Sequence, residues 1–279
     1  MRSSLIAQKS HALIFAGLFV TLSALALLFF ARLHDEGAKA RSVASPGARM
    51  AGFPKLFLWA WEREEQLEFI NPREVGVAFL ARTIYLRAEK VIQRPRMQPL
   101  KVPDGTTLIA VVRIETVRDS TPALSPAQRA EVVAALDEVA RMPNVSALQI
   151  DFDASSSERQ FYKELLNDLR PHLPEAMPLS ITALASWCIY DDWLDGLPVD
   201  EAVPMLFRMG VDKRRITDYL NAGGEFRNPL CRLSSGVSTD EPLKLVSPPQ
   251  RTYVFHPQAW SKASVSRVLE RSWNETSAP

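Results

Sequence analysis

The stretch Asn144-Val145-Ser146-Ala147-Leu148-Gln149-Ile150-Asp151-Phe152-Asp153-Ala154-Ser155 sets acids where an apolar strand should simply end. Side chains of a strand alternate between its faces, so Leu148, Ile150 and Phe152 share one face and Gln149, Asp151 and Asp153 the other. Ala154 and the run Ser155-Ser156-Ser157-Glu158 stop the strand, and the spacing from Ser155 to Glu158 is that of a capping box opening a helix. The acids therefore stand at the carboxyl end of a strand that leads straight into a helix, which is the functional end in parallel α/β sheets and barrels. A lone Asp in this place most often bonds a nearby backbone amide. Two Asp and a Gln on one face are harder to satisfy that way, because paired buried carboxylates must be bonded, metal-bound or partly protonated.

Outward from this strand the chain repeats a strand-then-helix rhythm. Upstream, Lys55–Glu62, Val75–Leu80 and Thr107–Ile114 read as strands, the first apolar on both faces as a central parallel strand is. Arg63–Phe69 reads as a short helical segment, and Arg82–Val102 as an irregular excursion or hairpin. Ser125-Pro126-Ala127-Gln128 opens the clearest helix, with Ser as cap, Pro at the first helical position and Gln at the capping-box position. Downstream, Pro178–Ala183, Val203–Met209, Leu230–Ser234 and Thr252–His256 are strand candidates, and Asp212–Asn221 and Trp260–Trp273 are helices. Eight strands, most followed by helices, predict a (β/α)8 TIM-type barrel that is irregular at its second and seventh units, with an open doubly wound sheet as the alternative.

The 279 residues are 47% hydrophobic and 23% charged, enough for a full core without a metal or disulfide framework. Basic and acidic residues number 33 and 32 with no basic block, which argues against a nucleic-acid partner. From Ala12 to Phe30 the sequence is apolar apart from Thr21 and Ser23, about 19 residues and enough to span a bilayer. Arg2 and Lys9 precede it without an acid. The reading is one amino-terminal transmembrane helix, a signal anchor over residues 1–33, then a linker over 34–54 and a barrel domain over 55–279. The expected address is the cell inner membrane, single-pass, with the domain facing the periplasm; the alternative is secretion after signal cleavage. Cys188 and Cys231 are the two cysteines. They read as buried thiols or as a pair, with no obligatory disulfide expected.

In a barrel the loops after the strands meet at one mouth. That mouth would collect Trp59, Trp61, Glu62, Glu115, Asp151, Asp153, Trp187, Tyr190, Trp193 and His256, acids and aromatics together. Aromatic faces stack on sugar rings, and carboxylates bond hydroxyls and catalyse. The simpler reading of Trp59 and Trp61 is packing of the barrel wall; for Trp187 and Trp193 a loop position favours exposure, although plugging the barrel end is equally cheap. No Gly-rich phosphate loop or nucleophile elbow occurs, and the four histidines lack metal-ligand spacing, so no cofactor and no metal are expected. Asp191, Asp192 and Asp195 read as a solvated acidic loop, and Arg113 as the ion-pair partner of an inward acid.

The runs LWAWERE (58–64), VGVAFLART (75–83), ALQIDFDASSSER (147–159) and LSITALASWCIYDDWLDGLPVDEAVPMLFRMG (179–210) resemble an uncharacterised bacterial domain-of-unknown-function family. Its members are exported or membrane-tethered, and the resemblance implies a glycoside-hydrolase-like TIM barrel. The strand of Asp151 is also similar to the fourth strand of chitinase-type barrels, Asp-x-Asp-x-Glu. That similarity sets Asp153 in the place of the acid, Asp151 in that of the carboxylate orienting an N-acetyl group, and Gln149 in that of the first Asp. Two of these three positions depart from the pattern.

The expectation is a protein acting on an envelope or extracellular carbohydrate. Asp153 would be the general acid and Asp151 its electrostatic partner, with Glu115 and Glu62 as further catalytic candidates. Trp59, Trp61, Gln149, Trp187, Tyr190, Trp193 and His256 would contact substrate. The alternative is a non-catalytic glycan-binding or envelope-assembly protein on a degenerate barrel.

Overall fold

A computed structural model describes residues 47–116, 120–243 and 249–276. Eleven strands occur there: β1 (Leu56–Ala60), β2 (Glu65–Gln66), β3 (Val75–Arg87), β4 (Lys90–Pro95), β5 (Leu100–Lys101), β6 (Leu108–Thr116), β7 (Val145–Asp151), β8 (Leu179–Leu184), β9 (Glu201–Met205), β10 (Ser234–Ser238) and β11 (Arg251–Phe255). The helices are α1 (Pro126–Ala140), α2 (Arg159–Leu169), α3 (Ala185–Tyr190), α4 (Lys213–Asn221) and α5 (Lys262–Thr276).

Eight strands run parallel in the order β1-β11-β10-β9-β8-β7-β6-β3, and pairing of β1 with β3 closes them into a barrel. The expected parallel barrel is therefore present. The transmembrane segment expected at 12–30 lies outside the described residues, and among those described no helix is long and apolar enough to cross a membrane.

Alternation divides the barrel into two apolar layers. Outward residues such as Leu58, Val77, Val112, Ile150 and Ile181 pack against the helices, while Phe57, Trp59, Ala78, Leu80, Ile109, Val111, Val203 and Tyr253 fill the lumen. Two glycines make room for the lumen's rings. A methyl on Gly76 would sit 2.2 Å from the ring of Phe57, and one on Gly236 would sit 2.7 Å from that of Trp59. Below the mouth the lumen also holds a buried polar chain. The Trp59 indole donates to Gln149 Oε1 (2.9 Å), Gln149 donates to Ser180 Oγ (3.0 Å), and Ser180 donates to Glu201 Oε1 (3.1 Å). Arg251 (2.8 Å) and the Tyr253 hydroxyl also donate to Glu201, so this wholly buried carboxylate is paired and bonded.

Several elements differ from the sequence reading. Arg63–Phe69 is no helix: Glu65–Gln66 pairs with β5, and the buried Glu65 carboxylate accepts from Trp260 N at 2.8 Å. In the second unit, β3 runs on to Arg87 and turns back as the antiparallel β4, so the expected hairpin stands where a helix would. The seventh strand is Ser234–Ser238 rather than Leu230–Ser234; Pro229–Arg232 is a 3-10 turn before it. The sixth is Glu201–Met205, and Phe207–Met209 belong to the loop after it. Cys188 of α3 and Cys231 form a disulfide, with Cα atoms 5.9 Å apart. Of the two readings, buried thiols or a pair, the pair is present, because barrel closure brings two segments 43 residues apart within bonding range.

Candidate active site

β7 ends at Asp151 and the chain leaves the sheet through Phe152 and Asp153. Phe152 turns into the outer core against Tyr162 of α2, with ring centroids 5.1 Å apart, which fixes the acids on its two sides toward the mouth. The expected capping box is half formed. Glu158 Oε2 accepts from Ser155 N at 2.7 Å, while Ser155 Oγ meets Ser157 Oγ, and α2 begins one residue after Glu158.

Asp151 is buried, and dehydration raises its pKa; a 2.7 Å bond from Thr182 Oγ1 and the nearby Arg113 oppose that rise. The Arg113 guanidinium is 3.8 Å from Asp151 and 2.6 Å from Glu115, so it serves both acids and faces the ring of Trp61 at 5.9 Å. Asp153 has an accessible carboxyl, yet protein surrounds much of it. Partial dehydration first, then the charge of Asp151, push its pKa up to about 6. A carboxyl poised there is half protonated at about pH 6 and gives up its proton more readily than an alcohol or amine would.

These groups open into a cavity of about 520 Å³. Asp151, Asp153, Arg113 and Thr182 form one side, and Trp59, Trp61, Phe207 and Phe255 an aromatic side. Phe207 and Phe255 stack at 5.5 Å with nearly parallel planes, and Trp61 meets Phe255 edge-on at 6.4 Å. Met205, Met209 and Ile216 add aliphatic surface. Arg208 also lines the cavity and is ion-paired to Asp240 and Glu241, which ties the loop after β9 to that after β10.

Of the expected residues, Asp151, Asp153, Trp59 and Trp61 meet at this cavity. The others stand elsewhere. Gln149 is wholly buried beneath it and is occupied by Trp59 and Ser180. Glu115 is on the same inward face but held by Arg113, and the exposed Glu62 does not line the cavity. Trp187 is buried in the outer core, meeting Trp193 edge-on at 4.9 Å, and Arg159 lies over both rings while bonding Asp191. Trp187 on α3 and Trp193 on the loop after it plug the space beside Tyr162 of α2, because packing apolar rings there removes them from water. Tyr190 lies on the surface under Arg215, 4.1 Å from its ring. His256 faces a separate space of about 270 Å³, its Nδ1 2.6 Å from Thr239 Oγ1, and burial lowers its pKa.

The reading of the sequence missed Thr182, Phe207, Arg208 and Phe255. Thr182 and Phe255 carried a signal, since each is two residues beyond an inward neighbour, Ser180 and Tyr253. Phe207 and Arg208 carried none, because their place depends on the course of a loop.

The fold and site together define a parallel eight-stranded α/β barrel with an acid pair and aromatic residues at its carboxyl-terminal mouth. The family model of the domain of unknown function DUF3142 matches residues 104–203, which hold β6 to β8, the start of β9, both acids, Arg113 and Thr182. No curated protein matches the sequence. A solved structure, the spore cortex-lytic enzyme SleL of Bacillus cereus, aligns over 80% of this chain and 59% of its own, with 15% identity and a TM-score of 0.46. The chain thus spans less than two thirds of that protein.

Proposed function

We propose that this protein hydrolyses a glycosidic bond in an envelope or extracellular glycan, with Asp153 as general acid. The observation that carries the proposal is the Asp153 carboxyl, with a pKa pushed up to about 6, at a cavity with an aromatic side. Protonated Asp153 gives its proton to the glycosidic oxygen as the bond to the anomeric carbon breaks. Asp151, fixed by Thr182, supplies negative charge beside the positive charge developing on the sugar, and Arg113 balances Asp153 once its proton has gone. Water adds hydroxide to the anomeric carbon and returns a proton to Asp153. The aromatic side offers stacking faces to the ring that is held.

The test is turnover of a panel of soluble envelope and extracellular polysaccharides by the full chain and by Asp153→Asn. Released reducing ends from the wild type and a loss of at least about 100-fold in the variant, in line with removing a general acid, are expected. Binding without release of product by the wild type would favour the non-catalytic reading, which draws on Gln149 and Glu115 being held in structural bonds.

The same proposal places the domain outside the cytoplasm, tethered by the apolar segment 12–30. The buried Cys188–Cys231 bond supports that address, because disulfides persist in oxidising compartments. Two titratable thiols in protein isolated under denaturing conditions from its own cells would speak against it.

A further inference from the structure

Two staves of the barrel are longer than the rest. At the level of Asp151 the neighbouring residue of β6 is Arg113, and that of β3 is Thr83. Both strands continue, β6 to Thr116 and β3 to Leu86 in register with it, so they rise about 10 Å beyond the level of Asp151 at 3.3 Å per residue. β4 pairs along the outside of this extension. A bulge between Leu80 and Arg82 decides which way its side chains face. With Ala81 as the extra residue, Arg82, Ile84 and Leu86 turn outward, where Arg82 meets Glu138 of α1 and Ile84 and Leu86 join the outer core. Thr83, Tyr85 and Arg87 are left on the face that continues the lumen, beside Arg113 and Glu115.

The extension is held firmly. Gln128, buried at the start of α1, donates to Ala88 O (2.9 Å) and Lys90 O (3.1 Å) at the hairpin tip, and its own Oε1 accepts from Leu124 N (2.9 Å). Ala123 N donates to Ala88 O at 2.8 Å. On the inward face of this braced wall Tyr85 is half-buried. Among the described residues its hydroxyl has no hydrogen-bond partner and its ring stacks on no other, and Glu115 is its neighbour across the strands.

We infer that this wall is a second sugar subsite: Tyr85 is the stacking platform and Glu115 accepts from the hydroxyls of a residue adjoining the one held at Asp153, so that the substrate is a polymer. The inference rests on the glycan reading of the cavity. A rigid aromatic face with a free hydroxyl suits the apolar face and rim of a sugar ring at little cost in side-chain entropy. With one unit of the substrate placed at Asp153, the wall gives the next unit of the chain a surface that a monosaccharide substrate would leave unused.

The experiment compares Tyr85→Ala and Tyr85→Phe with the wild-type full chain on the polysaccharide it cleaves fastest and on an aryl monoglycoside of the same sugar. Tyr85→Ala should raise KM for the polymer about 3- to 10-fold, the measure of one lost stacking contact, and leave kcat within about 2-fold. The monoglycoside should be unaffected, and Tyr85→Phe should recover most of the polymer KM. An unchanged polymer KM, or an equal loss on both substrates, overturns the subsite. Should Tyr85→Ala fold poorly, Tyr85→Leu keeps the bulk without the aromatic face and is judged the same way. A wild type that binds and cleaves no glycan removes both this inference and the reading it rests on. A wild type that cleaves, with a variant indistinguishable from it, removes the subsite alone.

Discussion

Asp153 and Asp151 have the same side chain and face the same mouth, yet they are held differently. Asp151 has Thr182 at 2.7 Å and a guanidinium nearby, whereas Asp153 has a negative neighbour and a partly dry setting. Burial and that neighbour raise the Asp153 pKa from 3.8 to about 6, so its proton stabilises the folded state. The contribution is full below about 4 and lost as pH rises through about 6, the opposite of a salt-bridged carboxylate. Catalysis has the same sign. If Asp153 must be protonated, kcat/KM should fall above about pH 6, and the limb should vanish with the activity in Asp153→Asn. A kcat/KM flat between pH 5 and 8 would assign the acid to another group. Both acids were legible in the sequence, because polar residues at period two at the end of an apolar strand contribute nothing to an apolar core. Thr182 was overlooked although Ser180 and Thr182 alternate in the same way on β8. The tryptophans misled: Trp187 and Trp193 have the composition of a sugar platform and the position of a core plug, and a sequence shows only the first.

At the level of elements, strands were readable where both faces are apolar, as in Leu56–Ala60, and poorly so where one face gives way to a neighbour. β10, Ser-Ser-Gly-Val-Ser, has almost no hydrophobic content because its place in the sheet is set by what it leaves room for. Gly236 yields to Trp59, which Gln149 and the stacked Tyr253 ring, 5.3 Å away, hold in place. Gly236→Ala should therefore cost about 1 to 3 kcal/mol, the usual range for overpacking a filled core, read as a lowered urea midpoint with an unchanged slope. A variant as stable as the wild type would show that the Trp59 ring can shift. The region 82–102 resisted assignment because β4 is exposed along most of its length, so its alternation lacks a buried face to mark it.

Across the whole molecule, the Cys188–Cys231 bond encloses β9, the loop lining the cavity and α4. A closed loop of this length restrains the unfolded chain by about 4 kcal/mol in the chain-entropy account. Replacing both cysteines with Ser should lower Tm by roughly 8 to 16 °C for a domain of this size. A drop below about 3 °C would mean that the core alone fixes α3 against the turn before β10. Closure of the barrel has a different consequence at the second unit. Pairing β1 with β3 leaves the eight parallel strands without a free edge, but adding β4 outside β3 creates one, with backbone amides and carbonyls turned to solvent. Such an edge can recruit a strand from another molecule. Lys90 and Arg94 set like charges along it and Pro95 removes a donor at its end, so the strand that raises the wall also discourages self-association.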